Sequence, residues 1–469
     1  MPAKITIVGA GLAGSLLSIY LARRGFAVDL FERRPDMRKV DLGGGRSINL
    51  ALSTRGIHAL RDVGVLDRVM AIAIPMKGRM IHPPAGELLF QPYGRDESEV
   101  IYATSRSRLN MALVDEAERQ QNVRLYFNQK CAGMNFNTGE LTVFDEATGA
   151  STQVLAQTVI GTDGSASALR LDMQRSRRFN FSQQYLEYGY KELTIPAGAG
   201  GTWLLEKNAL HIWPRTTFML IALPNMDGSF TCTFFYPMEG VESFETLVTQ
   251  EAVSAFFAKQ FPDAAALMPA LQDEFFGNPT GSMVTVKCSP WYVDGSMLLL
   301  GDAAHAIVPF FGQGMNCAFE DCTILDELLA SANVHGGRAL GKSVWNAVFM
   351  EFARSRTGDT DAIADLAVEN FVEMRDLVAQ PSFQLKKKVE QILQKQFPER
   401  FVPKYSMVTF HRVPYSTARK RGMIQDEILE TVCSSITSPQ DVDLKRAGTL
   451  IQNRLSPLYV RTPAKSDHP

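Results

Sequence analysis

The first apolar run, KITIV at residues 4–8, and a second, AVDLF at 27–31, flank a stretch from Leu12 to Arg24 with helical spacing of its apolar positions. Strand, helix, strand in that order predicts a mainly parallel sheet with helices on its faces. Between residues 211 and 236 the pattern changes: in HIWPRTTFMLIALPNMDGSFTCTFFYP two apolar-alternating runs meet at a turn containing Asp227-Gly228, a hairpin signature. Met219, Ile221 and Leu223 share one face of the first run, and Phe235 meets them from the second. That face either roofs a pocket or packs on a helix, and the pattern allows both. Beyond residue 320 strand signals stop. Amphipathic helical segments continue to about residue 455, broken at Pro381, Pro398 and Pro403. The expected class is α/β: a discontinuous parallel-sheet domain, an inserted mostly antiparallel sheet domain and a helical C-terminal region.

A chain of 469 residues is too long for one core, and 48 Lys+Arg against 50 Asp+Glu give a net charge of −2, which recruits no polyanion. Nucleic-acid binding is therefore not expected. The six cysteines are scattered, without metal-ligand spacing, and read as reduced core residues of a cytoplasmic protein. The first residues run straight into a strand, leaving no signal-peptide pattern, and the polar tail LYVRTPAKSDHP offers no membrane anchor.

Three glycine or acidic motifs punctuate this plan. VGAGLAG sets Gly9, Gly11, Leu12, Ala13 and Gly14 between a strand and a helix, where glycines let a pyrophosphate approach the helix N-terminus. Glu32 ends the second strand, placed to accept ribose hydroxyls, while Arg33 and Arg34 leave a 2'-phosphate reading open. In VIGTDGSASALR, Asp163-Gly164 follows an apolar strand, although Asp-Gly alone marks a turn. In GDAAHAIVPFFGQGMNCAFED, Gly301 and Asp302 follow the apolar run Met297–Leu300, and Pro309, Gly312 and Gly314 precede a helix. A short, stiff, glycine-bearing loop lets a flat or charged group reach backbone N–H donors.

The three motifs in this order resemble the FAD-dependent aromatic hydroxylases, the single-component flavoprotein monooxygenases. The resemblance implies a Rossmann-like FAD-binding domain, with expected segments 1–75, 101–180 and 281–335, interrupted by a substrate-sheet segment at 76–100 and a substrate-binding sheet domain at 181–280. A helical region, 336–469, follows. It also implies that Gly9, Gly11, Gly14, Glu32 and Arg33 hold the ADP half of FAD. Arg106 in SRSRLNMAL would reach the phosphates, Asp163 and Gly301-Asp302 would line the cofactor, and Pro309 with Gly312, Gln313, Gly314, Met315 and Asn316 would lie against its ring.

GRSINLALSTRG (45–56), KGRMIH (77–82), QPYGRD (91–96), YKEL, NALHIWPR and PKYSMVTF narrow the resemblance to the branch of that family acting on L-kynurenine. That branch implies NADPH-consuming hydroxylation to 3-hydroxykynurenine through a flavin hydroperoxide, in tryptophan degradation, with dioxygen as co-substrate and NADPH bound transiently. Arg79, Tyr93, Asn370 and Tyr405 would hold the amino-acid end, and Met219, Ile221, Leu223, Phe235, Phe310, Phe311 and Met374 would form the pocket. An arginine is a bidentate fork for a carboxylate and a tyrosine hydroxyl completes it. Asn370 shares a helical face with Ile363, Leu366, Met374 and Leu377, where it binds a ligand or a neighbouring helix. The match departs at Phe311, where some bacterial relatives carry histidine.

Other readings are a hydroxylase of another aromatic such as an anthranilate or phenol, a flavin binder without turnover, and a nucleotide hydrolase. The last rests on GGRALGKS at 336–343, which fits a phosphate-loop pattern but follows a helix-like segment. His305 is read as structural. No metal site is expected, and a monomer and a dimer are both compatible with the chain.

Overall fold

Five consecutive residues, Lys4–Val8, form a strand buried from Ile5 onward, as a strand covered on both faces requires. In the computed structural model, which describes residues 3–40, 49–85, 87–176, 178–337 and 340–458, this strand pairs in parallel with Ala27–Phe31 and Val159–Gly161. Val123–Tyr126 and Met297–Leu299 extend the parallel set on either side, and Tyr292–Val293 closes one edge as an antiparallel hairpin. Because the main strands run the same way, their C-terminal ends share one edge. Gly9, Glu32, Asp163 and Gly301-Asp302 therefore emerge side by side, although up to 293 positions separate them in sequence. Helices Leu12–Arg23, Arg106–Arg119 and Gly314–Ser331 pack together on this unit, which comprises residues 1–72, 104–185 and 284–364.

The second unit comprises residues 73–103, 186–283 and 365–469. The seven-stranded sheet runs in the order Gly281–Ser289, Asn180–Ile195, Phe230–Pro237, Met219–Pro224, Ala209–Pro214, Gly78–Ile81 and Leu89–Pro92; from Asn180–Ile195 onward neighbours are antiparallel except the parallel pairing of Ala209–Pro214 with Gly78–Ile81. The first run of the expected hairpin proves to be two strands. Pro214 has no N–H for a longer ladder, and a turn with Thr216 at φ 65° and Arg215 N–H donating to Phe218 O reverses the chain. One face of this sheet, from Trp213, Leu220, Ala222, Phe234 and Tyr236, forms a core with Phe257, Phe261 and Phe275 of the following helices. The opposite face carries Met219, Ile221, Leu223 and Phe235.

Proline sets the breaks in the helical region. Pro381 opens helix Pro381–Gln396 at its first turn, where no intrahelical N–H bond is lost, and Pro403 precedes Lys404–Thr409. Helices Pro381–Gln396, Tyr415–Cys433 and Leu444–Arg454 enclose a separate apolar core. Helix Lys342–Val372 ends in a π-helical turn, Glu373–Leu377, a widened geometry frequent at functional sites. Among the described residues no helix is long and apolar enough to cross a membrane. The tail 459–469 lies outside the described residues, as do residues 45–48 of GRSINLALSTRG and two positions of the 336–343 pattern. Gly336 itself packs on Gly25, with its N–H donating to Arg24 O and its carbonyl accepting from Ala3 N–H.

Candidate functional site

Gly9 takes φ 100°, and a Cβ on Gly14 would stand 1.9 Å from Gly9 O, so both glycines are demanded by the turn itself. Gly11 differs: a Cβ there would meet no heavy atom within 4 Å. Space at that point is what a pyrophosphate over the N-terminus of helix Leu12–Arg23 needs. Leu12 and Ala13, half-buried, open that helix. Glu32 steadies the loop, one oxygen accepting from Ala10 N–H at 2.9 Å and the other from Arg34 N–H and Nε. Arg34 is thereby committed to Glu32, while Arg33 and Arg106 are exposed.

Two buried acceptors beside this cradle have no hydrogen-bond partner among the described residues: Asp163 Oδ1 and Asn110 Oδ1. Burial pushes the Asp163 carboxyl up, against the pull of Ser167 and of the Ala168 and Leu169 N–H groups. Asn110 donates to Ala10 O at 3.2 Å, which holds its orphan oxygen at the glycine turn. The open space at Gly11 and these two acceptors fit the polyhydroxyl chain of an FAD.

The loop at the end of the Met297–Leu299 strand is held from within its own unit. Gly312 sits at φ 65°, closing the turn Pro309–Phe311 before helix Gly314–Ser331 begins. Asn316, fully buried, donates to Ala51 O and Gly312 O at 2.8 Å and accepts from Ser53 N–H at 2.9 Å. Its polar atoms are used in shaping the loop, so its part toward a flavin is positional. Gln313 Nε2 reaches Ser53 Oγ at 3.4 Å, Phe310, Phe311 and Met315 are buried, and Pro309 is exposed. Asp302 is half-buried at the start of a short helical turn.

Behind that loop lies a charge chain the sequence does not announce. His305 Nε2 stands 2.6 Å from Asp321 Oδ2, Arg356 Nε donates to Asp321 Oδ1 at 2.7 Å, and Arg356 and Arg55 both donate to Glu320. Burial opposes the charge on His305, but Asp321 and Cys317 leave it well above the usual histidine range. Asp321 also accepts from Gly301 N–H, tying the Gly301-Asp302 turn to the helix of Asn316. The ring nitrogen of His305, Cys317 Sγ and an Asp321 oxygen come within 4.8 Å of one another, as metal ligands would, but the Arg356 guanidinium supplies the cation there.

In the second unit, Arg79 leaves the strand Gly78–Ile81 with its side chain almost wholly buried and Nη1 3.1 Å from Glu373 Oε1. Tyr93 and Tyr405 stack with ring centroids 5.3 Å apart and planes 10° from parallel, and the guanidinium carbon lies 5.8 and 5.4 Å from the two rings. Burial disfavours the Arg79 charge, yet Glu373 and the tyrosines raise its pKa above the usual value. Burial likewise opposes ionisation of Glu373, and Lys387, Arg79 and Lys404 overcome it. Both tyrosine hydroxyls are pushed up by burial and stay neutral. Arg79 Nε is buried without a partner among the described residues. Thus Arg79, Tyr93 and Tyr405 come together, and Glu373, which sequence reading missed, completes the group. Asn370 stands three positions earlier on the same helix, buried, with Nδ2 3.3 Å from Met374 Sδ. On the opposite face of the sheet, Met219 and Phe235 are buried direct cross-strand partners, with Ile221 and Leu223 beside them.

A buried cation and a half-buried anion within one hydrogen bond, flanked by two neutral phenols, match both ends of a zwitterion. Compared with known proteins, residues 2–342 match the FAD binding domain family. A kynurenine 3-monooxygenase of Myxococcus xanthus (strain DK1622) is 56% identical over 453 residues, covering 97% of this chain and 96% of the relative. The chain belongs to the kynurenine 3-monooxygenase family. A second member, from Dictyostelium discoideum, is 42% identical over 459 residues, 97% of this chain and 98% of its own. Among solved structures, the tetrameric form of 2-methyl-3-hydroxypyridine-5-carboxylic acid oxygenase covers 82% of this chain and 96% of its own, with a TM-score of 0.64 and 19% identity, which shows a shared fold. The Gly9–Gly14 turn, Glu32, Asp163 and Gly301-Asp302 lie along one edge of the parallel sheet. The only sequence signal for Glu373 is its place one helical turn after Asn370.

Proposed function

We propose that this chain is an NADPH-consuming, FAD-dependent monooxygenase that hydroxylates L-kynurenine to 3-hydroxykynurenine with dioxygen. The observation that carries this reading is the Arg79–Glu373 pair between Tyr93 and Tyr405, with an unused Arg79 N–H. Arg79 takes the substrate carboxylate, with the Tyr93 and Tyr405 hydroxyls completing its hydrogen bonds, and Glu373 takes the α-ammonium. Asn370 adds an amide at the same end, and Met374 lies beside it. The aniline nitrogen of kynurenine already feeds electron density into its ring, so no protein base is required. Position is what the side chains supply, since a misplacement of about 1 Å costs about a hundredfold in rate.

FAD would be held by Gly9, Gly11, Gly14, Glu32, Asp163, Asn110 and Asp302, with Arg106 at the phosphates. When bound and reduced by NADPH, the flavin supplies the activated oxygen. Asn316 and Gly312 shape the loop that meets its ring, and the apolar face of Met219, Ile221, Leu223 and Phe235 keeps water from the aromatic substrate. A panel of L-kynurenine, anthranilate and simple phenols, followed by NADPH oxidation and product mass, tests this. Hydroxylation of kynurenine alone is expected; efficient turnover of anthranilate or a phenol instead would overturn it.

A further inference from the structure

Behind the strand that carries Arg79 runs a row of polar groups that binding of kynurenine does not use. His82 follows Gly78–Ile81 directly, with Nδ1 2.7 Å from Asp263 Oδ2 and Nε2 2.9 Å from His211 Nδ1. His211 Nε2 in turn lies 2.9 Å from the carbonyl oxygen of Glu206. Both rings are buried. Residues 79 and 82 project to opposite faces of an extended chain, and His211 stands across from Met80, on the His82 side.

Counting protons along this row decides its charge. The Glu206 carbonyl only accepts, so His211 Nε2 carries hydrogen. A neutral His211 then presents a lone pair at Nδ1, and His82 Nε2 must donate to it. That leaves His82 Nδ1 facing the Asp263 carboxylate at 2.7 Å, a contact two lone pairs cannot make. A third proton is required. It does not rest on Asp263: burial pushes that carboxyl up, but the bonds from His82 and Trp213 outweigh it and hold its pKa at about 2. Nor does His211 take it, since burial depresses its pKa to about 4.

We infer that His82, His211 and Asp263 form a one-proton clamp, three N–H protons on two imidazoles, that positions the strand bearing Arg79. The backbone N–H of His82 donates to Ile212 O at 2.8 Å, and the ring contacts add ties from the end of the Arg79 strand to His211 of Ala209–Pro214 and, through Asp263, to the helix Pro262–Ala265. Trp213 stacks on His82 at 3.9 Å and donates to both Asp263 oxygens. The charged groups facing the pair are Asp263, Glu206 and Arg215, whose Nη1 donates to His82 O at 3.0 Å. Without the third proton the His82–Asp263 contact holds no hydrogen and the strand end loosens.

The inference rests on the reading of Arg79 as the carboxylate site, and the test separates the two. Ring ¹⁵N shifts of the [¹⁵N]histidine-labelled holoenzyme are followed from pH 6 to 10, alongside the Kd of L-kynurenine from its perturbation of the flavin absorbance. Three protonated nitrogens on His82 and His211 are expected where Kd is lowest, and Kd is expected to rise about tenfold, a change of about 1.4 kcal/mol, where the count falls to two. Asp263→Asn is expected to move both transitions to lower pH, which also separates them from ionisations of the substrate. Two protonated nitrogens throughout the range in which kynurenine binds, or a Kd profile indifferent to Asp263→Asn, would overturn the clamp. The wild-type ring titration decides the proton count even if the variant fails to fold. An unchanged Kd in Arg79→Ala beside an intact three-proton signal would sink the Arg79 reading instead.

Discussion

Arg79 Nη1 stands 3.1 Å from Glu373 Oε1, joining a short strand near the N-terminus to a π-helical turn 294 residues later. Arg79 is buried and Glu373 half-buried, so removing either member leaves a poorly compensated charge, and the two substitutions differ in what they do to ligands. Arg79→Ala is expected to weaken L-kynurenine binding by about 3 kcal/mol, over a hundredfold. Glu373→Gln is expected to weaken kynurenine but to strengthen the analogue that lacks the α-amino group, because Arg79 is then free for its carboxylate. Equal losses for both ligands in Glu373→Gln would show that Glu373 does not meet the ammonium.

The glycines of the first turn separate packing from ligand contact. Gly14→Ala forces a Cβ to 1.9 Å from Gly9 O, and the apoprotein is expected to lose stability. Gly11→Ala has room in the protein and an extended φ of −71°, ψ of −170°, so its apo Tm is expected to match the parent while its affinity for FAD falls at least about tenfold. A calorimetric scan and a flavin titration check both. Normal FAD affinity in Gly11→Ala would contradict the cradle.

Asn316→Ala removes the three hydrogen bonds that tie the Gly312 loop to Ala51 and Ser53 and leaves the buried Ser53 N–H unpaired, a cost of about 1–3 kcal/mol. A lower urea midpoint is expected, together with more hydrogen peroxide released per NADPH oxidised. Unchanged coupling would show that the loop does not depend on this side chain.

Local pattern carried much of the fold. KITIV and AVDLF are strands at their expected bounds, and the glycine and acidic motifs lie on one edge because parallel pairing puts strand ends there. The run from residue 211 reads as one strand because its apolar alternation continues past Pro214; the positive φ at Thr216 is a conformation that alternation does not register. Arg79, Tyr93 and Tyr405 came from resemblance rather than from periodicity. Glu373 escaped because an acidic residue on a half-buried helix looks like a solvated face until its partner, brought by the fold, is known. His82 with Asp263, and His305 with Asp321 and Arg356, are invisible for the same reason: their charges are made tolerable only by groups distant in sequence.

Asp263 also predicts behaviour in acid. Its pKa in the folded protein, about 2, lies below the ordinary aspartate value near ~3.9, so its contribution to stability is present above that value and is lost as pH falls toward 2. Tm measured between pH 5 and 2.5 is expected to fall less steeply for Asp263→Asn than for the parent. Parallel curves would mean that the carboxylate is not held by His82 and Trp213.

The most direct test of the central claim is to incubate the purified holoenzyme with L-kynurenine, NADPH and ¹⁸O₂ and weigh the product. The account predicts 3-hydroxykynurenine carrying one ¹⁸O atom. NADPH oxidation that yields only hydrogen peroxide, with kynurenine recovered unchanged, would contradict it.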